Sequence, residues 1–325
     1  MIKISVIVPM YNSFHLMEHN LSVLEKQKAA EIELVLVDDC SKDGSYERAV
    51  QYAQTSKLCI KVVRNEKNGG PGVSRNQGIR VATGDYITFV DSDDYFSDDF
   101  TDVLVPILKQ GADCVVFDYV YVSEDRTYRS SGKTMEIPFT EGFIDKKMAF
   151  VFVHGSTCGK VYRRTMIVDN QVLFGELFRG EDMPFTKHAL AVSETIYYTC
   201  AQLYNYVQIP TSLMHNSRLT DEKNCQQAFS LLKERVDYEQ WKDELAAIEL
   251  REVLNNTVLI KIAKKEDSKQ IQAFIRENGS RTFLKNKYYK FYSNHVKVVS
   301  ILVYYKQIFL LSLVLKLKNW LQRRR

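Results

Sequence analysis

Leu34-Val-Leu-Val37 runs without a break into Asp38-Asp39-Cys40-Ser41-Lys42-Asp43-Gly44-Ser45. An aliphatic run this short, closed by acids and turn formers, predicts a strand covered on both faces. Four more runs share its character: Ile4-Ser-Val-Ile-Val8, Ile60-Lys-Val-Val63, Tyr86-Ile-Thr-Phe-Val90 and Cys114-Val-Val-Phe117. Helix-like stretches separate them, around 14–27, 44–56, 72–83 and 98–110. Alternation at this spacing predicts βαβ units and a parallel sheet, an α/β fold.

At 325 residues the chain is long for one minimal domain. A catalytic domain over 1–217 and a helical domain over 218–325 are expected, because after Thr220 almost no Gly or Pro occurs until Gly279. Between the strand run and that boundary the pattern is mixed. A polar hairpin or loop is expected around 123–136, a helix starting at Asp182-Met-Pro184, and strands at 195–199 and 203–207. Six scattered cysteines without a C-x-x-C pair exclude a small disulfide scaffold and a zinc ribbon. The run Ile4 to Val8 is too short for a signal-peptide core, and nothing before residue 290 approaches a membrane span.

Ligands of open α/β sheets bind beyond the carboxyl ends of the strands. The residues found there are Pro9-Met-Tyr11-Asn12, then Asp38-Asp39, then Arg64-Asn-Glu-Lys-Asn-Gly69-Gly70-Pro-Gly72, then Asp91-Ser92-Asp93-Asp94. Capping explains a Ser45 or Ser97. It does not explain five aspartates on one edge, whose crowding is costly without a cation. Asp91-Ser92-Asp93 suits Mn²⁺ or Mg²⁺, which takes one or two carboxylates and completes its shell with water and phosphate. The glycines at 69–72 form neither a P-loop nor a dinucleotide fingerprint, so a loop entering a helix and a phosphate contact both remain open. Arg75, one turn into that helix, is the better phosphate candidate, with a solvent-facing side chain as its rival.

Ser5-Val-Ile-Val-Pro9-Met-Tyr11-Asn12, Val37-Asp38-Asp39-Cys-Ser41-Lys-Asp43-Gly44-Ser45, Ser74-Arg75-Asn76-Gln-Gly78 and Gly84-Asp85-Tyr86-Ile87 through Asp91-Ser92-Asp93-Asp94 follow in that order. Together they resemble the family 2 glycosyltransferases of bacterial surface-polysaccharide synthesis. The resemblance implies a GT-A fold, a Rossmann-like sheet of nucleotide-diphospho-sugar transferases, here with a helical C-terminal domain. It implies a UDP-sugar donor held by Pro9, Tyr11, Asn12, Asp38, Asp39, Arg75, Asp91 and Ser92. Tyr11 would lie against the base and Asp39 would accept from the uracil N–H. Asp93 would be the main metal ligand, with Asp91 beside it and His215 completing the site. Gly180-Glu181-Asp182-Met-Pro-Phe185 resembles the family's acidic pair before a helix, with Asp182 as catalytic base and Glu181 tuning it or binding acceptor. Helix-start charge is the rival account of that pair. A single base implies direct displacement with inversion. Lys160 resembles part of a family Lys-Leu-Tyr-Arg element, although Cys158-Gly159 departs from the residues usual before it. No Q-x-x-R-W element of processive synthases is found, favouring single-sugar addition.

Charge is unevenly placed. Beyond Glu277 there is no acid, while Arg281, Lys285, Lys287, Lys290, Lys297, Lys306, Lys316, Lys318, Arg323, Arg324 and Arg325 are basic. Taking these eleven from the 44 Lys and Arg leaves 33 against 40 acids in residues 1–277, a net of −7. Val296 to Leu321 is apolar-rich, and three readings stand: a helix in the membrane interface, one packed on the protein or in a homodimer, and a span. The aliphatic setting and acidic body argue against nucleic acid. The resulting expectation is a cytoplasmic enzyme peripheral at the inner face of the membrane. It would be an inverting, metal-dependent transferase acting on a lipid-linked or other glycan acceptor in capsule or exopolysaccharide assembly. Its rivals are a sugar-1-phosphate nucleotidyltransferase, which needs a glycine-rich phosphate loop after the first strand, and a non-catalytic nucleotide-sugar-binding subunit.

Overall fold

All five aliphatic runs are strands in the computed structural model, which describes residues 1–123, 129–135, 139–177, 180–208, 222–278 and 285–322. Residues 1–217 and 218–325 form separate compact units. In the first, β1 (Lys3–Met10), β2 (Glu31–Asp38), β3 (Cys59–Arg64) and β4 (Tyr86–Phe89) run parallel in the order β3-β2-β1-β4. Leu34 to Val37 are wholly buried, as a strand covered on both faces requires. The covering helices are α1 (Glu18–Lys26), α2 (Ser45–Thr55) and α3 (Pro71–Val81). The first begins later than the apolar spacing predicts, after a 3₁₀ turn at Phe14–Leu16. Phe14 N–H donates to Ser45 Oγ (3.2 Å) and Tyr11 N–H to Ser13 Oγ (3.2 Å), which ties the chain down before the helix can start.

The remaining sheet is mixed. It adds β5 (Tyr95–Phe96), β6 (Cys114–Ser123), β7 (Arg129–Gly132), β8 (Gly142–Ile144), β9 (Lys160–Arg163) and β10 (Ile196–Gln208), with α4 (Phe100–Leu108), α5 (Lys146–Phe152), α6 (Arg164–Asp169) and α7 (Asp182–Val192). Here β9 runs antiparallel to both β4 and β6, β10 lies parallel to β6, and β5 pairs antiparallel with β10. The polar stretch expected as a hairpin supplies β7, antiparallel to β6; residues 124–128 and 136–138 lie outside the described residues. The two strands expected at 195–199 and 203–207 are one, with register shifts between Thr199 and Tyr204. Thr199 Oγ1 accepts from Ala201 N–H (3.2 Å), a local bond that interrupts the ladder without ending the strand.

The second unit comprises α8 (Glu222–Arg235), α9 (Tyr238–Ile248), a π-helical stretch at Glu249–Asn255, α10 (Asn256–Ala263), α11 (Ser268–Asn278), α12 (Asn294–Tyr304) and α13 (Ile308–Gln322). Its core joins Leu250, Leu254, Val258, Ile271, Phe274 and Ile275 to Val299, Val303 and Leu311 of the apolar tail. That tail is two helices, divided at Lys306, whose φ of 57° no helix accommodates. Among the described residues no helix is long and apolar enough to cross a membrane, which sets the span reading aside.

One buried acid organises the sheet away from the acidic edge. Glu33 accepts from Ser5 Oγ (2.5 Å), Thr83 N–H (2.7 Å), Thr83 Oγ1 (2.6 Å) and Lys61 Nζ (2.9 Å), joining β1, β2, β3 and the turn before β4. Burial alone would raise its carboxyl, but these donors outweigh it and lower it from 4.5 to about 2. The stability this supplies, about 3 kcal/mol, is present above pH 4.5 and lost as pH falls towards 2. Glu33→Gln is therefore expected to lower the urea midpoint at pH 7, and the gap to wild type should narrow progressively below pH 4.5.

Candidate active site

The turns after β1 and β2 are built against each other. Asn12 has φ 51° and Cys40 φ 66°, conformations in which short polar side chains can bond locally. Asn12 N–H donates to Ser41 Oγ and Asn12 Oδ1 accepts from Lys42 N–H, each at 2.8 Å. Asp38 is buried, accepts from Ser41 N–H (3.1 Å) and pairs with Arg64 Nε (3.2 Å). Pro9 stands opposite Val37 in the sheet, and Tyr11 is 46% exposed at the rim.

The glycine loop is a receptor for a carboxylate. Asp39 Oδ1 accepts from Gly69 N–H (3.0 Å) and Asn65 Nδ2 (2.8 Å), and Oδ2 from Gly70 N–H (2.8 Å). A carboxylate has about four acceptor positions, so an outside donor can still reach Asp39. Gly70 has φ 83°, which turns the chain into α3 with Pro71 in the first turn.

Four members of Ser74-Arg75-Asn76-Gln-Gly78 then have distinct tasks. Ser74 Oγ accepts from Asn65 (2.9 Å). Gly78 abuts β1: a Cβ there would meet Ile7 Cγ2 at 2.3 Å. Asn76 bonds both the N–H (2.8 Å) and the carbonyl (3.0 Å) of Phe174. Arg75 is 3% exposed. Its Nη1 donates to Glu181 Oε1 (3.1 Å) and Asp182 Oδ1 (2.9 Å), its Nη2 to Asp91 Oδ1 (2.8 Å), and its guanidinium lies 5.4 Å from the Phe174 ring centre. The residue expected at solvent or phosphate is thus bonded to three carboxylates from two distant segments. Gly72 permits this, since a Cβ would crowd Glu181 Cγ at 3.1 Å and Phe174 Cβ at 3.2 Å.

Glu181 and Asp182 open α7, as expected. Asp182 Oδ2 also accepts from Thr157 N–H (3.4 Å). Glu181 is pushed up to about 7 by burial and by the neighbouring Asp182 charge. The strand-end aspartates separate into two kinds. Asp94 is buried, accepting from the Tyr204 hydroxyl and from Val207 N–H (2.8 Å), so it ties the turn to β10. Asp93, half-buried beside Ser92, is raised to about 6, first by burial and then by the Asp91 charge.

The expectation that five aspartates meet around one cation needs correction. Among the described residues no group of three or more His, Cys, Asp or Glu side chains is placed to hold a metal. Asp38, Asp39 and Asp94 are occupied by Arg64, by the glycine loop and by β10. Asp93 remains, with Asp91 beside it holding Arg75 through Oδ1, and one or two carboxylates suit an ion that draws its other ligands from water and diphosphate. Burial and the neighbouring Asp91 charge account for the elevated Asp93 carboxyl. His215 lies outside the described residues.

Three contributors had no clear sequence signal: Arg64 as partner of Asp38, Phe174 beneath Arg75, and Thr157. Lys160 is buried and spans this loop from below, donating to the carbonyls of Ser156 (2.6 Å) and Cys158 (3.2 Å). Cys158 Sγ lies 3.9 Å from Asp91 Oδ2. The departure at Cys158-Gly159 was the only hint, and Gly159, with φ 76°, makes the bend.

A parallel sheet with an acidic carboxyl edge, continued by a mixed half and faced by a second acidic pair at the start of α7, defines a GT-A architecture. Residues 5–169 match the family Glycosyl transferase family 2, and the chain belongs to it. It is 31% identical over 213 residues to the putative glycosyltransferase EpsH of Bacillus subtilis, covering 62% of this chain and 60% of that protein. It is 33% identical over 211 residues to the poly(ribitol-phosphate) beta-N-acetylglucosaminyltransferase TarS of Staphylococcus aureus, covering 63% of this chain and 35% of TarS. The chain therefore spans less than two thirds of either relative. The crystal structure of TarS residues 1–349 with UDP-GlcNAc superposes with a TM-score of 0.70 at 24% identity, over 98% of this chain and 92% of that one, a likeness of fold.

Arg75→Met should destabilise the first unit by about 3 kcal/mol in denaturant titration, because it leaves buried Glu181 and part-exposed Asp91 and Asp182 without their shared cation; Arg75→Lys, which lacks the planar fork, should recover only part of this. Asp93 behaves oppositely. Its carboxyl is raised from 3.8 to about 6, so folding loses stability as pH rises through that window. Asp93→Asn is expected to melt higher than wild type at pH 7.5, by up to about 2 kcal/mol, with the difference vanishing near pH 3.8.

Proposed function

We propose that the chain is an inverting, metal-dependent glycosyltransferase that moves one sugar from a UDP-sugar to a hydroxyl of a glycan acceptor, lipid-linked or otherwise, in surface-polysaccharide synthesis. The observation that carries this reading is the Arg75 bridge, which holds Asp91 of the donor edge and the Glu181–Asp182 pair on one guanidinium. Donor and acceptor machinery must sit this close, since the acceptor oxygen attacks the carbon that the diphosphate leaves. TarS, named for N-acetylglucosaminyl transfer and crystallised with UDP-GlcNAc, supports a uridine donor.

On this reading exposed Tyr11 lies against the base, and Asp39 spends its remaining acceptor position on the uracil N–H. Asp93, with Asp91, would hold Mn²⁺ or Mg²⁺ together with the diphosphate. Bound there, the ion neutralises charge that develops on the leaving diphosphate. The mannosyltransferase PcManGT of Pyrobaculum calidifontis, alike in fold (TM-score 0.59, 16% identity), was crystallised with GDP-Man and Mn²⁺. Asp182 takes the acceptor proton. Its Oδ1 is fixed by Arg75 and its Oδ2 faces Thr157 N–H, so the carboxylate is oriented before substrate arrives. On this reading Asp182 acts as the one base, Glu181 shares its guanidinium, and a single displacement inverts the anomeric centre.

Metal-dependent UDP release should be read with UDP-glucose, UDP-galactose and their N-acetyl forms. One donor is expected to turn over, with Asp182→Asn and Asp93→Ala each reducing release by about 10²–10⁴-fold. Wild-type release by both variants would overturn the assignment.

A further inference from the structure

Helices α12 and α13 bury Val299, Val303 and Leu311 in the core of the second unit and leave their other faces apolar. Val298 and Ile301 are exposed along α12, three residues apart, and Tyr305 follows four residues on, just past its end. Phe309, Leu313 and Leu317 follow at spacings of four along α13, beside Leu310. Exposure reaches 64% at Tyr305 and 73% at Phe309, which flank the turn at Lys306. Scattered single exposed hydrophobics need no explanation, but six on two consecutive helices and a seventh, Tyr305, at the turn between them mark a contact surface.

Charge identifies what is contacted. The sequence beyond Glu277 holds eleven basic residues and no acid, and Lys306 and Lys316 belong to the turn and to α13 themselves. A two-fold contact between copies of this chain through this surface would bring the lysines of both tails into one interface without a compensating acid from the tail. An anionic bilayer complements both features, apolar side chains entering the acyl boundary and lysines meeting headgroup phosphates. Neither helix is long enough to span, so the pair lies in the interface.

We propose that α12 and α13 form a monotopic membrane-docking surface for anionic phospholipid, inserting Tyr305, Phe309, Leu313 and Leu317 with Lys306 and Lys316 at headgroup level. This stands apart from the catalytic reading, since it uses no residue of the candidate site.

The test is co-sedimentation of the full chain with phosphatidylglycerol–phosphatidylcholine vesicles and with pure phosphatidylcholine vesicles. Preferential pelleting with the anionic vesicles is expected. Phe309→Asp/Leu313→Asp should weaken partition on the order of a hundredfold, and Lys306→Gln/Lys316→Gln about twentyfold. Both pairs should keep the wild-type melting temperature and the wild-type UDP release in vesicle-free solution, because the replaced side chains are not part of a core. The proposal fails if the full chain stays in the supernatant, or if the aspartate pair still pellets. It also fails if light scattering finds a dimer that the aspartate pair turns into monomers.

Discussion

One guanidinium holds the candidate site together. Asp91, Glu181 and Asp182 arrive from the end of β4 and the start of α7, and without a cation among them their charges would drive those segments apart. Arginine suits the task because its fork presents several donors in one plane and remains charged when buried. The rest of α3 serves its placement. Gly78 lets the helix close on Ile7, Gly72 makes room for Glu181, and Asn76 grips the backbone of Phe174, over which the guanidinium lies.

The aspartates divide by the donors that each one meets. Asp38 meets Arg64, Asp39 meets the amides of Gly69 and Gly70, and Asp94 meets Tyr204 and Val207 N–H. Each of these carboxylates fixes a turn, and a fixed turn is what allows Asp91 and Asp93 to be held at one edge. The glycine loop, without any phosphate motif, acts here by carrying Asp39 on its amides.

How far this could be read from the sequence depended on the range of the interaction. Parallel strands came from local runs such as Leu34 to Val37, whose burial on both faces leaves little choice of conformation. The beginning of α7 at Asp182 was likewise a local matter. Arg75 was legible as important and misjudged in its partners, because Glu181 and Asp182 lie more than a hundred positions away and helical register says nothing about what a distant loop brings to it. Two strands were read where β10 is one, since Cys200 and Ala201 break the apolar pattern while the bulge preserves the pairing. Likewise, an acidic edge suggested a single five-carboxylate cluster, although composition cannot reveal that Arg64 and backbone amides neutralise part of it first.

What stays unneutralised then becomes informative. Glu33 and Asp93 are both acids in the same unit with limited exposure, yet four donors draw the first down to about 2 while the second is driven up to about 6. A fold able to surround Glu33 so completely is not short of donors. Leaving Asp93 without comparable support, next to a like charge, sacrifices stability that a single basic side chain would restore. The strand end thus holds its acids against the grain of their environment: burial raises both Asp93 and Asp94, while Arg75 holds Asp91.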